Sequence, residues 1–167
     1  MFVIRLPRRK PITSVTNDEL DKILEPYYGS DKNGGYFIGA GFGAGWNDIV
    51  LDLHNKLVKE HPEYYIIQIK EKFGGLRYYV GRVGDLGHDL INKAEELSYK
   101  TCERCGRAGK ERPTGWVLTL CWWDWVSQEI NHNIRAIEVN GFMGWIRVRS
   151  NKRKMVRKWK KNERMGR

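Results

Sequence analysis

Cysteine is scarce in this chain, and its scarcity excludes one architecture at once. Three cysteines among 167 residues are too few, and odd in number, for the disulfide framework of a small secreted domain. Long apolar runs are missing as well. The most apolar stretch, 116–126, is too short to cross a bilayer and contains Asp124. The N-terminal MFVIRLPRRK has neither a long apolar segment nor a small-residue cleavage site, which argues against a secretory signal. These gaps predict a soluble protein of a reducing, intracellular compartment. Disorder is excluded by the opposite evidence: 41% hydrophobic and 12% aromatic residues, seven of them Trp, suffice for a real core.

Acidic residues are almost missing from one end. From Trp145 to Arg167 there are eleven Lys or Arg and one acid, Glu163, so this segment carries the whole formal charge of +10. Residues 1–144 are balanced, with 19 basic and 19 acidic side chains. Like charges gathered in one block repel, and an anionic partner relieves that repulsion. Beyond residue 150 the segment offers Met155, Val156 and Trp159 as apolar anchors, too few for a membrane-binding face. Nucleic acid is therefore the expected partner. Trp145, Arg147 and Arg149 share one face of a strand, and Lys152, Arg153, Lys154, Arg157, Lys158, Trp159, Lys160, Lys161 and Arg164 continue the surface. Such residues bind phosphates and stack on bases without reading sequence, so duplex DNA held by its backbone is expected. The division is then a neutral body over 1–144 and a basic strand and arm over 145–167.

Within the body the elements alternate. Residues 2–6 have a weak strand pattern. Thr16 or Asn17 caps a short helix running to Leu24. After a glycine-rich run, Asn47 opens an amphipathic helix with Ile49, Val50, Leu53, Leu57 and Val58 on one side. Its two histidines, His54 and His61, fall on the polar side, a surface position. Strands are expected over 64–70 and 76–80, joined through Gly74-Gly75. A second helix covers about 85–99, with Leu86, Leu90, Ile91, Ala94 and Leu97 as its stripe. A helix over 122–131 and a hairpin around Asn140-Gly141 complete the list. The fold class is α+β, with helices packed on β-hairpins.

The three cysteines stand in an ordered pattern, C-x2-C-x15-C-x2-D over Cys102, Cys105, Cys121 and Asp124. Thiolates three residues apart can grip one ion, and Gly106 relieves the turn that follows. The spacing is that of a zinc ribbon except in its last ligand. Asp124 closes the set if a carboxylate serves. His132 is a competing fourth donor, but one helix from 121 to 132 would put it about 16 Å away along the axis. His88 is a third, reached only if the preceding helix approaches. A site with four protein donors is structural, since it leaves no place for an activated water. Against the metal stands the alternative that the thiols are buried as small hydrophobes.

Other patterns are weaker. The glycines at 34, 35, 39, 41, 43 and 45 have no Lys-Ser/Thr after them and miss the dinucleotide spacing, so no nucleotide site is assigned. Lys70, Lys72 and Arg77 form a second basic group, but Glu71 interrupts it and an ordinary solvated face is expected. Asn131-His132-Asn133 invites comparison with HNH nucleases, yet no second His or matching strand pair accompanies it. No nucleophilic triad is visible, and the protein is read as a non-enzyme.

Several segments resemble a family of small phage and bacterial proteins of uncharacterised function. They are Gly45-Trp46 before a helix, IQIKEKFGGLRYY at 67–79, AEELSYKTCERCG at 94–106 and GWVLTLC at 115–121. Members of that family complete the ribbon with Cys or His where this chain has Asp124. In size and basic character the chain is also similar to the Alc-type host-transcription terminators of T-even phages. The resemblances imply a phage or prophage setting, the bacterial host cytoplasm or nucleoid, and a host protein such as RNA polymerase as partner. The expected function is a DNA-binding regulator that stops host transcription, with structural zinc. The alternatives are a protein-only inhibitor of host defence and an HNH-like nuclease.

Overall fold

The computed structural model describes residues 10–29, 41–112 and 116–129. The strand expected over 2–6, the Asn140-Gly141 hairpin, the basic arm, residues 131–133 and most of the glycine run lie outside them. The chain divides into two units, Arg9–Asp124 and Met1–Arg8 together with Trp125–Arg167. Of the second unit only 125–129 are described, and they are helical.

The first unit is a small α+β domain. Its elements in order are α1 (Asn17–Leu24), α2 (Asn47–Glu60), β1 (Tyr65–Lys72), β2 (Gly75–Gly81), α3 (Asp85–Ser98), β3 (Lys110–Arg112) and β4 (Leu118–Leu120). Residues 122–124, which end the unit, are helical. Thr16 caps α1 through a capping box with Glu19, in which each residue bonds the other's backbone N–H. The antiparallel pair β1–β2 is the main sheet, and β3–β4 forms a second, smaller one. Two parallel bridges, Tyr28 to Ile66 and Gly41 to Lys70, cover the outer edge of β1.

The sequence Ile66-Ile67-Gln68-Ile69 breaks strict alternation, and a bulge between Ile66 and Gln68 accommodates it. One extra residue resets the phase, so both Ile66 and Ile69 face the core while Ile67 is left outside. The strands meet one residue earlier than expected, through a two-residue turn at Phe73-Gly74. Both turn residues have positive φ, 53° and 75°. A hairpin turn of that hand suits glycine and asparagine; a bulky residue there costs about 1–2 kcal/mol.

The core joins Leu20 and Leu24 of α1, Ile49, Val50, Leu53 and Leu57 of α2, the inner hairpin residues, and Ile91 and Ala94 of α3. Trp46, just before α2, is fully buried among them. On α3 the buried line is Gly87, Ile91, Ala94 and Ser98. Leu86 and Leu97, expected in that stripe, are about half exposed, because they flank the contact line instead of lying on it. Ser98 is inside because its hydroxyl accepts the Leu76 amide at 2.9 Å.

His54 overturns its expected surface position. It is 3% exposed, and its Nδ1 hydrogen-bonds the Tyr64 hydroxyl. The Tyr27 ring meets it edge-on at 4.6 Å, and the Tyr64 hydroxyl lies 3.5 Å from that of Tyr78. A histidine on a polar-looking face is drawn inside because the tyrosines supply its polar contacts. Burial lowers the pKa of His54 from 6.5, so the folded chain holds it neutral. The unfolded chain takes up the proton first, so stability from this site is full above about pH 6.5 and declines as pH falls below it. The slope is at most about 1.4 kcal/mol per pH unit. Urea midpoints between pH 7.5 and 5 should fall for the natural chain and flatten in His54→Gln.

Candidate metal centre

Three pieces of chain build the centre. The segment after α3 turns back at Cys102–Cys105, where the Gly106 amide donates to the Cys102 carbonyl at 2.9 Å and Gly106 takes φ 74°. The Cys102 amide donates to the Arg107 carbonyl at 2.7 Å, closing the knuckle. The β3–β4 ribbon delivers Cys121 directly after β4, and the Glu103 amide bonds the Thr119 carbonyl at 3.0 Å. The first helical turn after Cys121 carries Asp124, whose amide points at the Cys121 Sγ, 3.4 Å away. The carboxylate is thus placed by local helix geometry, three residues on.

The ligand atoms of Cys102, Cys105, Cys121 and Asp124 all lie within 4.8 Å of one another, and all four residues are buried. Asp124 Oδ2 is 3.3 Å from the Cys102 Sγ and 3.2 Å from the Cys121 Sγ. The Cys105 and Cys121 sulfurs are 3.7 Å apart, and no disulfide links the three. The other carboxylate oxygen, Asp124 Oδ1, is buried without a hydrogen-bond partner. A buried orphan oxygen beside three thiols is a costly arrangement unless something binds there. The group can therefore hold a metal ion. Of the rival fourth donors, His88 is on α3 and is not part of the group, while His132 lies outside the described residues.

Burial pushes the Cys102 and Cys121 thiols up. Burial would raise the Asp124 carboxyl too, but hydrogen bonds from Cys105, Cys121 and Cys102 outweigh it and hold it below its ordinary value. The centre would be strongly negative when deprotonated. Arg104 acts on Asp124 and Arg112 on Cys121 and Cys102, so two guanidinium groups partly offset that charge. Glu103 does not join them. Burial first, and the charge of Glu71 second, push its carboxyl up to about 7.

The Gly45-Trp46 pair was legible only as a motif; its role is to seat the knuckle on α2. The Gly45 amide donates to the Glu103 carbonyl at 2.8 Å. A side-chain carbon at Gly45 would run into the Cys102 carbonyl oxygen and lie 2.7 Å from the Cys105 amide nitrogen. The obstacle is backbone, so only glycine fits. Trp46 Nε1 donates to the Thr101 carbonyl at 2.8 Å, one residue before Cys102. The amide of Ile12 adds a bond to the Cys105 carbonyl at 3.1 Å.

The fold and site define a small α+β protein with a buried Cys3Asp cluster suited to a metal. Compared with protein-family models, curated proteins and solved structures, the chain matches none. Among the described residues no helix is long and apolar enough to cross a membrane.

Proposed function

We propose that this protein is a DNA-binding regulator whose zinc-clamped α+β body carries a basic arm that grips the phosphate backbone of duplex DNA. The observation behind the reading is the segregation of charge: eleven Lys or Arg and one acid over 145–167, on a body with no net charge. Zinc suits three soft thiolates with one carboxylate. A tetrahedral ion about 2.3 Å from sulfur would hold two thiolates about 3.8 Å apart. The 3.7 Å between Cys105 and Cys121 is consistent with that edge. Four protein donors make the ion's role structural, and the protein acts by binding instead of catalysis. The resemblance to small phage proteins supplies the setting: the partner beside DNA is a host protein, with RNA polymerase the leading target and arrest of host transcription the outcome.

Duplex DNA affinity measured against salt tests the arm. For Z phosphate contacts, log K should fall with log salt at a slope of about −0.9Z. A full-length variant with the eight Lys and Arg of 152–164 changed to Gln should lose most of that slope. Equal slopes would sink the arm and leave a protein that binds only protein. Metal-dependent cutting of DNA that disappears in His132→Ala would instead establish a nuclease.

A further inference from the structure

The outer face of the β1–β2 hairpin combines three features that folding does not require. First, Phe73 sits at the positive-φ turn position where asparagine or glycine would be relaxed, and the residue is 65% exposed. The backbone is strained there and the side chain buries little in return, which is the mark of a residue kept for contact with something else. Second, the register places Gln68 opposite Tyr79 and Lys70 opposite Arg77, with Lys72 next along the same face. Third, each cation has a ring beside it. Lys70 Nζ is 5.3 Å from the Tyr79 ring, Lys72 Nζ 5.4 Å from the Phe73 ring, and the Arg77 guanidinium 5.8 Å from the Tyr99 ring.

Glu71, which interrupts the basic group in the linear sequence, does not interrupt it in space. It faces the other side of the hairpin, accepting from the Gly74 amide at 2.7 Å and from Trp116 Nε1 at 3.0 Å. Glu95 stands against Arg77 at 3.4 Å. Among the described residues, neither Lys70 nor Lys72 has a carboxylate within ion-pair distance. The face is therefore positive and aromatic together.

We propose that this hairpin face is a binding site for single-stranded nucleic acid, with Phe73 and Tyr79 as stacking platforms and Lys70 and Lys72 as phosphate contacts. Exposed rings interleaved with lysines match a strand whose base faces are free. A duplex hides those faces in its own stack, so the site is distinct from the duplex grip of the arm and does not depend on it. An acidic peptide would satisfy the lysines and leave the rings unused.

The test uses the full chain and fluorescence anisotropy with a labelled 15-mer oligothymidylate and a duplex of the same length. Phe73→Asn relaxes the turn while removing the ring, so the variant is expected to fold at least as stably, which thermal melting checks. Phe73→Asn combined with Tyr79→Thr should weaken oligothymidylate binding at least tenfold and change duplex binding less than twofold. The same loss should appear when the eight basic residues of 152–164 are also changed to Gln. Unchanged single-strand affinity in the folded double variant overturns the site. So does competition by poly-glutamate as effective as unlabelled oligothymidylate at equal charge. If neutralising 152–164 leaves duplex affinity intact, the arm fails while the hairpin site is judged by its own arm of the experiment.

Discussion

Replacing Cys105 by Ser is expected to remove the metal and unravel the segment from Thr101 to Cys121 while the helix–hairpin core survives. The reason is where the stabilisation resides. The core cluster runs through α1, α2, the β1–β2 hairpin and α3, and contains none of the three cysteines. The ribbon segment has two three-residue strands and a knuckle, too little apolar surface to hold itself. A structural zinc ion supplies free energy on the order of 10 kcal/mol to such small modules, more than any contact the ribbon makes. Elemental analysis should show about one zinc per natural chain and almost none in the variant. Hydrogen exchange should lose protection over 101–121 and keep it over 47–60 and 65–81, and a chelator should reproduce the pattern in the natural chain. If the purified chain holds no metal and Cys105→Ser leaves exchange unchanged, the thiols are packing groups and the zinc reading fails.

Trp46→Ala should be the most damaging single change in the core. The side chain is fully buried, and truncating a large aromatic in such a place costs about 3–5 kcal/mol, cavity included. It also deprives the Thr101 carbonyl of its indole donor at 2.8 Å, a bond that ties the core to the start of the knuckle. Trp46→Phe separates the two effects. It keeps most of the apolar area and should cost roughly 1–3 kcal/mol, the range for leaving a buried acceptor unpaired plus a small void. Urea unfolding measures both, and a cost below about 1 kcal/mol for Trp46→Ala would show that the core does not close around this residue.

Much of this protein was legible from local chemistry. The helix start at Thr16 or Asn17, the span of α2, the hairpin near Gly74 and the span of α3 depend on neighbours within one or two turns, and the chain states those directly. The grouping of Cys102, Cys105, Cys121 and Asp124 was legible for the same reason: a knuckle and a turn of helix fix the four two at a time. That His88 stays out of the group was not, because it depends on how α3 packs against the knuckle.

What the tertiary structure alone decided concerns partners far apart in the chain. His54 reads as a surface residue until Tyr64 and Tyr78 are brought against it. Gly45-Trp46 is an unexplained pair until the knuckle, more than fifty residues later, leaves no room for a side chain and offers a carbonyl to the indole. Glu71 cancels its basic neighbours on paper, yet pleating turns it to the opposite face and leaves Lys70 and Lys72 beside exposed rings. Local spacing determines which residues can form a helix, a turn or half a metal site. Burial and long-range hydrogen bonding, which depend on what arrives from elsewhere, determine which face each residue serves.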